Sequence, residues 1–287
     1  MRAARVTGLR QAPIPVDVDD VEGIEILAVA LNPLDLSVAN GAFYGGHPPL
    51  PYIPGCEAAA RRRDGTVVYL FGEARGVARD GFLVERVQTT PELELELPPG
   101  TDPAVAAAAG IAGTAAWVAV AWKAKVGDGD RVLVLGGTGT VGRIAAQAAR
   151  LLGAAHILAV GRGDLGRIAN EFGDEGFTVC IDPVWGEPLA DALQYAQPHA
   201  RVVHVGQSAA PVSALKSADV RGKELTVMGH SNFALSKDER DRAYLELLDH
   251  VVAGRIRLDF ETHALDDVAP AWERQEAGAK VVVSLTG

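Results

Sequence analysis

The sequence predicts an α/β protein of two domains: an irregular, mostly β part that opens and closes the chain, and a doubly wound parallel sheet between. Three observations predict it. At 287 residues the chain is long for one compact core and suits two modest ones. From about residue 102 to 254, short and almost wholly apolar runs alternate with helical periodicity, as in a parallel sheet covered on both faces. The first hundred residues differ. They are rich in Pro and Gly (NPLDLSVANGAFYGGHPPLPYIPG) and hold only short β-like runs.

Taken in order, Ile24–Ala30 and residues 66–71 read as strands of the first part. Residues 103–122 carry no charge and are long enough to span a bilayer. Alanine dominates them, with Gly110, Gly113 and Thr114 interspersed, and alanine gains little from lipid; a pair of buried helices is the better reading. Arg131–Leu135 reads as a strand buried on both faces, followed by a glycine-rich turn. Val141, Ile144, Ala145, Ala148, Leu151 and Leu152 then recur at helical spacing, and Gly153 stands where a left-handed C-cap is wanted. His156–Val160 completes a βαβ unit.

Further strands are expected at 179–181, 202–206 and 225–229. Ser236 and Glu239 form a capping box for a helix whose buried face is Tyr244, Leu247, Leu248, Val251 and Val252, ended by Gly254. The tail offers a helix at 266–276 and a strand at 280–285, expected to rejoin the first domain. The domains so drawn are 1–101 with 255–287, and 102–254.

Bulk properties exclude several classes. The net charge is −10, Lys and Arg form no long run, and Arg61-Arg62-Arg63 is too short for a nucleic-acid footprint. Cys56 and Cys180 lie far apart, without metal-ligand spacing or a disulfide framework. The basic N-terminus has no apolar segment or cleavage site after it, so a cytoplasmic protein without a membrane anchor is expected.

The glycine motif carries the chemistry. Gly137-Thr138-Gly139-Thr140-Val141-Gly142 follows a buried strand and opens a periodic helix, the context that gives a G-x-G-x-x-G string meaning. A dinucleotide sets its pyrophosphate against such a helix N-terminus, where free N–H groups and the dipole favour an anion. Gly137 is expected to permit the tight turn, Gly139 the approach of the phosphates, and Gly142 the packing of helix on strand.

NADP or NAD turns on the end of the second strand. An NAD site places Asp or Glu there, whereas this chain has Val160-Gly161-Arg162-Gly163. A guanidinium pairs with a 2′-phosphate that a carboxylate would repel, so Arg162, assisted by Arg167, points to NADPH. Asp164 is the competing signal, because a strand two residues longer would put it in the NAD position.

At this point the stretch GTAAWVAVAWKAKVGDGDRVLVLGGTGTVG resembles the cofactor-domain entry of the zinc-independent medium-chain dehydrogenase/reductases, in particular their quinone-oxidoreductase branch. Asn32-Pro33-Leu34-Asp35 and Pro51-Tyr52-Ile53-Pro54-Gly55-Cys56-Glu57 resemble that branch's N-P-x-D and P-G-x-E signatures. The resemblance implies a GroES-like mostly-β catalytic domain, an NADPH-binding Rossmann domain, a homodimer, and hydride transfer to a quinone or to the β-carbon of an enone. It places Asn32 beside the nicotinamide and Thr114 in the substrate cleft. It sets Val205, Gly206 and Gln207 at the third-strand equivalent beside the cofactor, and Ser231, Asn232 and Phe233, within the run from Gly229, on the other side of the nicotinamide.

Two departures matter. Asn32 and Cys56 stand where the zinc alcohol dehydrogenases place Cys and His ligands, no third ligand appears near Gly110, and one soft ligand cannot hold a tetrahedral zinc. The chain is also short for the family, with the loss expected between Arg61 and Glu85.

Reduction of an enone leaves an enolate to be protonated, and Tyr44, in the glycine-rich loop after Asn40, is the first candidate donor. Cys56 reads as a small buried hydrophobe, His47 as a surface histidine, and Asp35 and Glu57 as loop-holding carboxylates. The partner expected is a small-molecule substrate. A biosynthetic tailoring enzyme with one specialised substrate and a non-catalytic NADPH-binding protein are the competing readings.

Overall fold

A computed structural model describes residues 1–286 and resolves the chain into two compact units, Met1–Ile111 with Leu258–Gly287, and Ala112–Arg257. In the first lie strands β1 (Arg2–Arg5), β2 (Ile14–Asp17), β3 (Ile24–Ala30), β4 (Glu57–Arg61), β5 (Val67–Phe71), β6 (Arg86–Val87) and β7 (Glu94–Glu96). The second holds β8 (Arg131–Leu135), β9 (His156–Val160), β10 (Phe177–Asp182), β11 (Ala196–His204) and β12 (Thr226–Gly229), and the tail returns β13 (Glu261–Ala264) and β14 (Val281–Ser284) to the first unit. The helices are α1 (Pro33–Ala39), α2 (Pro103–Ala109), α3 (Ile111–Trp117), α4 (Thr140–Leu151), α5 (Arg167–Phe172), α6 (Glu187–Ala192), α7 (Ser217–Gly222), α8 (Lys237–Val252) and α9 (Val268–Glu276).

The first unit is built on a mixed sheet in the order β13-β14-β3-β4-β5-β7, with β6 also on β3 and a separate β1–β2 ribbon. Strand β14 lies antiparallel to β3, with Val283 opposite Val29, so the tail supplies an interior strand. Strand β4 reads Glu-Ala-Ala-Ala-Arg, and its short side chains let α2 come close, with Ala106, Ala107, Ala108 and Ala109 all buried. Asp102 caps α2, accepting from Ala104 N at 2.8 Å and Val105 N at 3.0 Å. That packing moves α2 into the first unit, whereas the boundary drawn from sequence places it in the second. No single helix is long and apolar enough to cross a membrane, and the segments Pro103–Ala109 and Ile111–Lys123 are bent by 51°.

The second unit is a parallel sheet ordered β12-β11-β10-β8-β9. The chain steps from β8 to β9, then crosses back over β8 to lay down β10, so the order reverses between β10 and β8. In open α/β sheets that reversal, at the carboxyl ends of the strands, is where ligands bind. A doubly wound sheet in the order 3-2-1-4-5-6 has six strands. Here, among the described residues, no strand lies outboard of β9, and only the short α5 connects it to β10. This unit therefore has one strand fewer than that pattern among the described residues, and in the first unit β4 and β5 are joined by a tight turn, where Arg62 N donates to Thr66 O at 2.9 Å.

One face of the sheet packs Leu133, Leu135, Leu158, Val160, Cys180 and Val202 against Ile168, Phe172, Leu189 and Leu193 of the helical connections. Helix α8 starts as its sequence dictates. Ser236 Oγ accepts from Glu239 N, and Glu239 Oε2 accepts from Ser236 N at 2.9 Å.

Candidate functional site

The glycine turn joins β8 to α4. Gly136 carries the positive φ, +61°, so the tight turn falls one residue earlier than Gly137. Gly137 serves a different need: a Cβ there would lie 2.7 Å from Ala159 Cβ, against the neighbouring strand. At Gly142 a Cβ would meet Gly136 O at 2.3 Å, so the helix can leave the turn only without a side chain. Gly139 is the N-cap residue of α4 and has no side chain with which to cap it. The first N–H groups of the helix, from Thr140, Val141 and Gly142, thus lack intrahelical acceptors and face the turn. Thr138 is exposed above them.

The end of β9 comes next. A Cβ on Gly161 would sit 2.9 Å from Thr138 Cγ2, so Gly161 is the space that Thr138 fills. Arg162 is exposed immediately beyond. Asp164 lies past the strand end, in the turn leading to α5, where its N donates to Gly161 O at 3.2 Å. Arg167 opens α5 and pairs with Glu171 at 3.5 Å.

Strand ends on the other side of β8 carry a group that no sequence motif singles out. Asp182 ends β10 and is fully buried. Its Oδ1 accepts from Val184 N at 3.0 Å and Trp185 N at 2.9 Å, while Oδ2 lies 3.2 Å from His204 Nδ1. The Trp185 and His204 rings meet at 4.2 Å between centroids, tilted by 41°. Val205, Gly206 and Gln207 continue from β11, which is the fourth strand of this unit in sequence and not its third. Val205 N donates to Asp182 O at 2.8 Å, and a Cβ on Gly206 would be 3.0 Å from Pro183 O, which fixes this loop against that of β10. After β12, His230 Nε2 meets Asn232 Oδ1 at 2.8 Å, and burial lowers the His230 pKa. Asn232 is buried, Ser231 half-buried and Phe233 exposed. Thr114 is buried in α3.

Within the first unit, Asn32, Glu57 and Lys280 are buried together. Asn32 Nδ2 donates to Glu57 Oε1 at 2.7 Å and to Ala30 O at 3.2 Å. Lys280 Nζ donates to Asn32 Oδ1 at 2.8 Å and Leu31 O at 3.1 Å, and lies 3.4 Å from Glu57 Oε1. Glu57 Oε2 accepts from Tyr69 Oη at 2.7 Å and Ile111 N at 2.5 Å. Gly110 is obligatory beside it, since a Cβ there would fall 1.7 Å from Glu57 Oε2. Asp35 accepts from Asn32 N at 2.8 Å and Cys56 N at 3.0 Å. Burial pushes its carboxyl up to about 6, against the opposing pull of those bonds. Burial likewise raises the Cys56 thiol.

Comparison with known proteins finds dehydrogenase and quinone oxidoreductase relatives. The zinc-binding dehydrogenase family matches residues 140–250, which contain α4 and the strand ends just described. Quinone oxidoreductase of Lama guanicoe is 26% identical over 312 residues, covering 95% of this chain and 91% of its own. Over most of its length the chain is similar to medium-chain dehydrogenase/reductases of the quinone-oxidoreductase type. Among solved structures, the quinone oxidoreductase of Thermus thermophilus, studied also as its NADPH complex, shares the fold with a TM-score of 0.78 at 24% identity over 99% of this chain and 100% of its own. A stretch of a phenolphthiocerol/phthiocerol polyketide synthase of Mycobacterium tuberculosis is 25% identical over 304 residues, 93% of this chain but 14% of that protein.

The family's zinc-binding name prompts a test of the donor set. Both polar atoms of the Asn32 amide are engaged inside the cluster, and the Lys280 ammonium sits on its oxygen. Cys56 is the one soft donor beside them, and a resident cation repels a second one. Among the described residues no group of three or more His, Cys, Asp or Glu could hold a metal. These residues do not fit a tetrahedral zinc. Of the two catalytic candidates, Asn32 is buried and saturated, while Tyr44 is 85% exposed on its loop, its ring 4.4 Å from that of Phe43. The fold does not bring those two into one hydrogen-bonded group.

Proposed function

We propose that this protein is an NADPH-dependent oxidoreductase that transfers hydride to a quinone or to an activated C=C bond of the enone type, without zinc. The observation that carries the reading is the bare mouth of α4, uncapped at Gly139, with Arg162 exposed at the end of β9 and no acid within that strand. Main-chain amides of Thr140, Val141 and Gly142 hold the diphosphate, and the Arg162 guanidinium, with Arg167 from the next turn, pairs with the 2′-phosphate. The NADPH complex of the Thermus thermophilus enzyme supports the choice of nucleotide.

Bound there, NADPH supplies the hydride, and the protein's part is to orient it and to deliver a proton. The loops of Val205-Gly206-Gln207 and Ser231-Asn232-Phe233 flank the nicotinamide, Asn32 borders it, Thr114 is a further cofactor-binding residue, and the exposed Tyr44 hydroxyl protonates the enolate. Without a Lewis acid, an unactivated alcohol or ketone is a poor substrate, whereas conjugation lowers the barrier for quinones and enones. The family resemblance further supports a homodimer acting in the cytoplasm.

Similarity to a polyketide synthase favours a second reading, a biosynthetic tailoring enzyme whose specialised substrate carries the same activated C=C bond. The test is NADPH consumption with a panel of quinones and enones, alongside nucleotide binding by Arg162→Glu. We expect turnover, and a loss of NADPH affinity of about 10-fold or more with NADH affinity little changed, as for a charge-assisted contact worth ~1.5–3 kcal/mol. Equal loss for both nucleotides would misplace the phosphate site, and tight NADPH binding without turnover of any panel member would exclude the generic reductase.

A further inference from the structure

We infer that the open edge of β9 is an interface between two copies of this chain, which pair there as antiparallel strands about a two-fold axis near Leu158. The parallel sheet has two edges, β12 and β9, and they are finished differently. On β12, His230 N donates to His204 O at 2.8 Å, so alternation turns the main-chain groups of Gly229 outward. Lys123 Nζ donates to that outward carbonyl at 2.7 Å, and a lysine laid on an edge discourages further pairing. On β9, His156 N donates to Asp130 O at 3.3 Å and Val160 O accepts from Gly137 N at 2.8 Å, so the groups of Ile157 and Ala159 face away from β8. Neither residue has a hydrogen-bond partner on that side among the described residues. No lysine, proline or bulge protects residues 156–160.

The flanks of this edge select the partner. Leu158 and Val160 turn into the core with Ile168 and Phe172, whereas Ile157 and Ala159 stay half-buried and Leu151, at the end of α4, is exposed. Beyond the carboxyl end of β9 stand Arg162 and Arg167, both exposed, with Asp164 as the one acid among them. Glu171 lies at the amino end, 3.8 Å from His156 Nε2, and Asp174 and Glu175 follow it, all exposed. The arginines there are Arg150 and Arg131, the latter 2.8 Å from Glu175, so the two ends keep opposite net signs. An antiparallel pair about a two-fold axis sets each end against the opposite end of its copy, basic against acidic at both contacts. Ile157 then exchanges both main-chain bonds with Ala159 of the second copy, and Ala159 with its Ile157. Any extended peptide can supply such a ladder; the reversed order of charge belongs to the same strand.

The test is self-association of the intact protein by analytical ultracentrifugation, without nucleotide, so that its outcome is independent of the cofactor reading. Ile157→Pro removes an outward donor that β8 does not use, a place where an edge strand tolerates proline. Charge reversal supplies two further variants, Glu171→Lys with Asp174→Lys at the acidic end and Arg162→Glu with Arg167→Glu at the basic end. We expect the wild type to dimerise and each of these variants to weaken the dimer about 10-fold or more, with melting temperatures little changed. Mixing the two charge-reversed proteins should restore a one-to-one heterodimer, because each end again meets its opposite, and added salt should loosen it. A monomeric wild type overturns the inference. So does a dimer undiminished in all the variants, which would use another surface, and so do charge-reversed proteins that stay apart when mixed. Should Ile157→Pro lower the melting temperature, the charge-reversed pair decides alone.

Discussion

Glu57 and Asp182 are both fully buried carboxylates, and each gathers several donors, yet they organise opposite things. The partners of Glu57 are Asn32, Tyr69, Lys280 and the Ile111 N–H, drawn from distant parts of the chain, and each of the three side chains is itself buried. The partners of Asp182 are its own following loop and a half-exposed histidine. The first acid closes a core, and the second builds a surface. The comparison teaches that a buried acid's role is read from where its partners point their remaining valences. In the first unit no valence of Asn32 is left over; in the second, helix amides, Arg162 and the Trp185–His204 pair remain available.

The sharpest way to break this contrast is Lys280→Met. It leaves the Glu57 carboxylate buried without its cation, and we expect a loss of about 3–5 kcal/mol in urea unfolding. Adding Glu57→Gln should recover part of it, since an amide keeps an acceptor for Tyr69 and Ile111 without the charge. A single variant as stable as the wild type would mean the cluster is no closure at all.

A smaller effect attaches to Asp35. Its carboxyl is raised to about 6 in the fold from an ordinary value near 3.8, so in that window the folded state holds the proton and the unfolded chain does not. This group's contribution is therefore present below the unfolded value and is lost as pH rises towards 6, by up to about 3 kcal/mol. Asp35→Asn should flatten that part of the stability profile between pH 4 and 6. An unaltered slope would show that Asp35 titrates normally.

The smallest structural effect is expected for Tyr44→Phe. The hydroxyl is exposed, so stability should stay within about 0.5 kcal/mol of the wild type. If Tyr44 delivers the proton, kcat for enone reduction should drop by about 100-fold at unchanged NADPH affinity. Unaltered kcat would pass that role to water or to another group.

Local chemistry was legible in the sequence where it acts over a few residues. The spans of β8 and β9 follow from apolar runs ended by Asp130, Gly136 and Gly161, and the Ser236–Glu239 box sets the start of α8. The glycine motif was legible as a site because spacing and context coincide, though not which glycine turns: Gly136 and Gly137 are adjacent, and only the close approach of Ala159 separates their tasks.

Long-range pairing was hidden. Asp182 and His204 are 22 residues apart and meet only because β10 and β11 are adjacent parallel strands in register. That β10 crosses back over β8, leaving β9 at the edge, is a matter of topology that no apolar run encodes. The assignment of Asn32 to the nicotinamide came from motif position, and its saturation by Lys280 involves a residue 248 positions away.

The place of Lys280 and β14 sets an order of assembly during synthesis. Domains generally fold as they emerge from the ribosome, the N-terminal one first. Here strand β14, which pairs with β3, and the ammonium that meets Glu57 are translated after the whole of Ala112–Arg257. The later-encoded unit can finish while the earlier one still waits with a gap beside β3 and an unneutralised acid. A chain truncated after residue 257 and released should accordingly protect β8–β12 from protease while leaving the opening hundred residues cleavable.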